Sequence, residues 1–270
     1  MTSRSLVLVL STLLFLPCAV LGQDPKQELN DQFFEAVRKG DSASVTALLD
    51  KGVDVNTKFR YGTTALFKAA ERGNLEIVKI LLAHGADVQV KDTFYKATAM
   101  TWALQNNHID VVNVLLEKDP SSVDDVLMTG ASEGKPELVK IALAKGGLSK
   151  DKLTRALAIA MSDKDTAEAA DVLKKAGAVP PAEIKAEILQ SYVGKYKSEA
   201  GLEISITFAN GILTGVVTGQ RPQPLYAIDQ VTFSPMFADD IVAKFKVDAG
   251  KVTGMTLTQG KTVTELARVN

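Results

Sequence analysis

Two Ser-x-x-Lys patterns, Ser132-Glu-Gly-Lys135 and Ser149-Lys-Asp-Lys152, are the nearest approach in this chain to a nucleophile motif. The pattern belongs to serine enzymes that transfer acyl groups. No Tyr-x-Asn or Ser-x-Asn pattern accompanies either copy, and four-residue patterns arise often by accident. His84 and His108 are the two histidines, and neither has a second histidine at metal-ligand spacing. The carboxylate pairs Asp124-Asp125 and Asp239-Asp240 are adjacent in sequence, which points their side chains apart in helix or strand. Cys18 is the only cysteine and it precedes the mature chain proposed below. That leaves no disulfide, thiolate nucleophile or thiolate ligand. No glycine-rich phosphate loop occurs. The reading is therefore of a non-catalytic protein without metal or cofactor.

The remaining distinctive chemistry is aromatic and basic. Phe59-Arg60-Tyr61 and Phe94-Tyr95-Lys96 form two such clusters, and Trp102 is the only tryptophan. Tryptophan and tyrosine beside arginine are the residue types that anchor protein interfaces. Lys plus Arg is 31 and Asp plus Glu is 32, a balance that exerts no long-range pull on polyanions. Nucleic acid is therefore not an expected partner. A hydrophobic content of 46% with 23% charged residues is that of a folded chain.

The first 22 residues stand apart. Arg4 precedes a run from Leu6 to Leu16 that is apolar except for Ser11 and Thr12. Pro17 breaks it, and Val20-Leu21-Gly22 leads into the polar Gln23-Asp24. This is the pattern of a cleaved signal peptide. A retained anchor is the alternative, but the run is shorter than the roughly 20 residues a bilayer span needs. The expected location is periplasmic or secreted, with no stable membrane insertion after the leader is cleaved.

The elements that position the aromatic clusters repeat. Gly40 and Gly73 are 33 residues apart, and Asn107 follows Gly73 by 34. Before each lies a short helix with small and apolar residues, such as Ala65, Leu66, Ala69 and Ala70. After each lies a second helix, with Leu75, Ile77, Val78, Leu81 and Leu82 on one stripe. A fourth copy surrounds Gly134, only 27 residues after Asn107, and a weak fifth spans Leu153 to Ala178. Neither helix of a pair can bury its apolar face alone, so the pairs must stack as a solenoid. Gly62-Thr-Thr-Ala-Leu and Leu81-Leu-Ala-His-Gly-Ala-Asp-Val closely resemble ankyrin repeats, with Ala65 and Phe67 where that family usually has Pro and His.

After Pro180-Pro181 the hydrophobic period changes from 3.6 to 2. Glu183 to Ser191 reads as a short connecting helix. Strands are predicted at Leu202–Phe208, Ile212–Thr218, Pro224–Ile228, Gln230–Phe233, Ile241–Val247, Val252–Thr258 and Thr262–Val269, with Asn210-Gly211 a strong hairpin turn. Short antiparallel strands at even spacing imply a small barrel. Tyr192-Val-Gly-Lys-Tyr196, Thr218-Gly-Gln-Arg-Pro-Gln-Pro-Leu-Tyr226, Phe233 and Phe245–Gly260 resemble the lipocalin-like domain that follows penicillin-binding-protein-like serine hydrolases. That resemblance implies a bacterial source. The chain has no room for the larger catalytic domain of those enzymes.

The expected fold class is α + β in two domains, an ankyrin-repeat α-solenoid followed by a small antiparallel, lipocalin-like β-barrel. The boundaries are a signal peptide at 1–22, about five repeats over 27–180, a linker helix at 181–191 and the barrel at 192–270. The ankyrin resemblance implies a binding face made of finger tips and first helices. By that register Lys68, Trp102 and Glu35 are equivalent exposed positions. The candidate partner site is a ridge of Phe59, Arg60, Tyr61, Lys68, Arg72, Phe94, Tyr95 and Trp102, taking another protein. The alternative function is a carrier or sensor of a small apolar ligand held in the barrel. A barrel of this size is more readily filled by its own side chains.

Overall fold

A computed structural model describes residues 25–238 and 240–269. The leader at 1–22 and Asp239 lie outside the described residues. Helices come in pairs: α1 (Pro25–Lys39) with α2 (Ser42–Asp50), α3 (Ala65–Glu71) with α4 (Leu75–Ala83), α5 (Ala99–Gln105) with α6 (Ile109–Lys118), α7 (Val123–Ser132) with α8 (Pro136–Lys145), and α9 (Lys150–Ala160) with α10 (Ala167–Lys175). The turn inside the first four pairs needs a left-handed residue, supplied by Gly40, Gly73, Asn107 and Gly134, with φ of 79°, 69°, 58° and 64°. The next helix then starts on a polar cap where one is available. Asp41 accepts from Ser44 N, and Asn74 accepts from Ile77 N.

The pairs stack through their apolar stripes. Leu66, Ile77, Leu81, Leu115, Leu116, Leu127, Leu138 and Leu157 are fully buried, each such burial worth about 1.5–3 kcal/mol. Gly73 shows why no side chain is tolerated at the turn. The His108 ring of the next pair occupies the place its Cβ would take. His108 Nε2 also lies 3.0 Å from Glu71 O, so this histidine is an inter-repeat latch. Asn56 is a second latch, donating to Gly85 O and accepting from Asp87 N at 2.8 Å. The short spacing before Gly134 has a plain cause: a single 3-10 turn, Pro120–Ser122, joins α6 to α7 where the earlier pairs have a long finger.

The C-terminal strands are β1 (Gly194–Lys197), β2 (Glu203–Ala209), β3 (Ile212–Val217), β4 (Gln223–Ala227), β5 (Thr232–Pro235), β6 (Ile241–Asp248), β7 (Lys251–Gln259) and β8 (Thr262–Val269). They form a closed antiparallel barrel in sequence order, with β8 returning to β1. Asn210 and Gly211, both at positive φ, make the two-residue turn between β2 and β3. The helix predicted from Glu183 begins instead at Ala186, as α11 (Ala186–Ser191). The residues before it are drawn out along the barrel, where Ala182 N donates to Ala227 O at 3.0 Å. The sequence did not reveal β1, whose four residues bury one side chain, Tyr196.

Aromatic rings fill the barrel interior. Tyr192 stacks on Phe245 at 4.2 Å, and Phe233 and Tyr196 meet Phe245 edge-on at 5.6 Å. Tyr196 is fully buried and its hydroxyl donates to Tyr192 O at 2.7 Å. Burial pushes the Tyr196 phenol up to about 12. Array and barrel touch: Tyr226 and Met236 of the barrel are buried with the array's core, and Arg155 of α9 donates to Ala238 O at 3.3 Å.

Candidate functional site

The two long fingers precede α3 and α5. In the first, Phe59 N donates to Thr63 O at 2.8 Å and Gly62 N to Phe59 O at 3.0 Å, closing a tight loop. This closure holds Tyr61 at φ 62°, ψ 22°, a conformation that non-glycine residues adopt at a cost. In the second, the Asp92 carboxylate accepts from Phe94 N, Tyr95 N and Ala97 N at 2.7, 2.6 and 3.0 Å. Burial pushes the Asp92 carboxyl up, but its backbone N–H donors outweigh that and its pKa lies below the ordinary value. The fingers are tied together where Thr93 N donates to Tyr61 O at 2.8 Å. Gly62 is required there, because the Thr93 methyl lies 3.1 Å from where its Cβ would be.

This backbone carries a row of rings. Tyr61 meets Phe94 at 6.5 Å, Phe94 meets Tyr95 at 4.6 Å, Tyr95 meets Trp102 at 6.2 Å, and Trp102 meets Phe67 at 5.6 Å. The rings and the Asp92 turn line an open cleft of about 320 Å³. Tyr61, Phe94 and Tyr95 are 59%, 71% and 69% exposed. Large rings this open on three neighbouring finger positions form a contiguous apolar surface, the usual mark of an interaction site.

The structure brings Tyr61, Phe94, Tyr95 and Trp102 together and places the other predicted residues around or away from them. Arg60 lies over the Tyr61 ring at 5.3 Å. Phe59 turns inward and meets the Phe34 ring of α1 at 4.2 Å in a tilted pair, so it braces the finger from behind. Lys68 is half-buried and paired with Glu71. Arg72 is exposed at the end of α3 and does not line the cleft. Trp102 is half-buried, its indole N–H enclosed without a hydrogen-bond partner. Phe67 and Asp92 were not foreseen. For Phe67 the signal was present, a ring where the resembled family has histidine; for Asp92 it was an Asx-type turn residue ahead of the two aromatics.

The residues of the Ser-x-x-Lys patterns and His84 have structural partners. Ser132 Oγ donates to Thr129 O, and Lys135 pairs with Glu133. Ser149 caps α9 by accepting from Lys152 N, and Lys152 reaches across to Asp124. His84 Nδ1 lies 2.8 Å from Ile80 O, one turn back in its own helix. Among the described residues no group of three or more His, Cys, Asp or Glu is placed to hold a metal ion. None of their helices is long and apolar enough to cross a membrane.

The family model for ankyrin repeats matches residues 33–126, in three copies. The molecule is thus a helical ankyrin region followed by a closed eight-stranded antiparallel barrel. Among curated proteins it is similar to "Ankyrin repeat, SAM and basic leucine zipper domain-containing protein 1". The Dasypus novemcinctus protein is 33% identical over 131 residues, 45% of this chain and 28% of that protein. Those of Atelerix albiventris and Otolemur garnettii are each 35% identical over 127 residues, 44% of this chain and 27% of theirs. The chain therefore spans just over a quarter of the length of these relatives. All three come from eukaryotes.

Proposed function

We propose that this chain is an exported, non-catalytic binding protein that captures a protein partner on the aromatic ridge of its two long fingers. Ankyrin repeats support the general role of protein–protein interaction. The observation that carries the specific reading is the exposure of Tyr61, Phe94 and Tyr95 on a backbone already fixed by Asp92 and the Thr93–Tyr61 hydrogen bond. Rings held in place before binding lose little freedom when they bind. The barrel acts as a side-chain-filled accessory module, a reading supported by its stacked interior rings. Export to the periplasm or medium is proposed on the residue 1–22 pattern.

The test combines Tyr61→Asn, Phe94→Ala and Tyr95→Ala in one variant. Asparagine tolerates the left-handed backbone at position 61, so the fold is spared. Capture of a partner from the periplasmic or secreted fraction is expected to disappear while the thermal midpoint stays within about 2 °C of wild type, as for surface substitutions. Undiminished capture, or loss of the folded state, would count against the ridge.

A further inference from the structure

We infer that the segment held by the ridge is an acidic stretch of a partner protein carrying one bulky apolar side chain, which enters the ring-lined cleft. This rests on the ridge being the partner site. The cleft sets the apolar half of the requirement. Its volume of about 320 Å³ is at the small end of ligand pockets. Its walls are the rings of Tyr61, Phe67, Phe94, Tyr95 and Trp102. The one carboxylate in its lining, Asp92, is buried and occupied by the N–H groups of its own turn. What the cleft offers an entering group is ring surface, which favours a leucine- or phenylalanine-like side chain.

The charge of the two fingers sets the acidic half. Lys58, Arg60, Lys91 and Lys96 are all exposed on these two fingers. None of the four takes part in an ion pair among the described residues, whereas Arg38, Lys68, Lys135, Lys152 and Lys246 do. Asp92 is the one acidic residue within 57–63 and 90–97, and it faces inward. A chain of formal net charge −1 thus presents four exposed cations outside any ion pair on the two fingers that carry the cleft. Exposed charges of this kind add little affinity singly, but together they steer an oppositely charged partner and reject like-charged ones. A single-stranded nucleic acid would also bring negative charge and stacking groups. It needs a cationic track with stacking platforms spaced along it, whereas here the rings converge on one cleft of about 320 Å³.

The test is selection from a random peptide-display library on the whole protein, with the Phe94→Ala/Tyr95→Ala variant as counter-bait. Peptides with Asp or Glu flanking Leu or Phe are expected to be enriched. A synthetic copy of one should shift the fluorescence of Trp102, the only tryptophan, in a saturable way. Its affinity should fall about tenfold in Lys58→Glu/Lys91→Glu, as expected for reversal of steering charges, and stay unchanged in Lys145→Glu/Lys175→Glu. No enrichment, or ridge-dependent peptides that are basic or neutral, would overturn the inference and leave the ridge standing as the site. Tighter binding of a short oligothymidylate or of phosphatidylglycerol vesicles would overturn it as well. Enriched peptides that bind the counter-bait equally would overturn the ridge reading itself.

Discussion

Asp92 keeps its charge against burial with backbone N–H groups, and the finger depends on that charge. Its folded pKa is depressed, so the stability it contributes is fully present above the unfolded value, about 3.9. That contribution is lost as pH falls through the lower folded value. Asp92→Asn removes the charge at every pH. The variant should therefore unfold at a lower temperature than wild type near neutrality, and the gap should narrow below about pH 3.9. Thermal unfolding of both proteins from neutral pH down to acid checks this, and a gap that stays constant would refute it. At this scale the sequence was legible where residue type alone decides, as with the rings of Tyr61, Phe94 and Tyr95 set beside basic residues between helices. It was not legible for Phe59, whose direction depends on Phe34, 25 residues earlier in the chain. Asp92 left only the trace of an Asx-type residue before two aromatics, because a hydrogen-bonded turn has no hydrophobic period to betray it.

The barrel shows how an element too short to announce itself can still be indispensable. β1 was invisible to the alternation that revealed the other strands, yet it alone joins β2 to β8. A single side chain fastens the chain just before it. The Arg268 guanidinium, on β8, donates to Ser191 O at 3.0 Å, Val193 O at 2.6 Å and Val252 O at 3.4 Å. Its head passes so close to Gly194 that a Cβ there would come within 3.1 Å of Nε. Arg268→Ala strips charged donors from three carbonyls and should cost about 2–4 kcal/mol, on the scale of one or two charge-assisted hydrogen bonds. Arg268→Lys should recover only part, because a single ammonium cannot reproduce the planar fork. Urea unfolding followed by circular dichroism measures both, and a loss under about 0.5 kcal/mol for the alanine variant would show that the barrel closes without this fastening. The helices were easier to read than the strands. Each of the first four pairs announces itself by an apolar stripe and a glycine or asparagine stop, signals local to about a dozen residues. The onset of α11, predicted at Glu183, falls at Ala186 for the opposite reason: Ala182 just before it is held by distant Ala227, and 183–185 stay outside the helix.

Across the whole molecule the two halves divide one surface between them. The barrel residues Tyr226 and Met236 pack into the array's core, and Arg155 binds the backbone just beyond, at Ala238. The barrel thereby covers part of α9 and its surroundings, while the long fingers lie two and three repeats further toward the N-terminus. Met236 and Phe237 reach a cleft shared with Met100 and Leu104 of α5, while every residue that lines the ring cleft belongs to the array. Stacked repeats pass stability from neighbour to neighbour, and a barrel docked through a buried side chain joins that chain of coupling. Wild-type protein should then unfold in a single calorimetric transition. Met236 is only 8% exposed, and Met236→Ala removes apolar contact worth about 2–5 kcal/mol. That loss falls at the junction, leaving the barrel's ring cluster and the repeat stripes intact. The variant should show two separated transitions, one for the repeats and one for the barrel, with partner capture on the fingers retained. Two transitions already present in wild type would mean that the contact is too weak to couple the halves, and the barrel would then be a tethered module instead of a part of one cooperative unit.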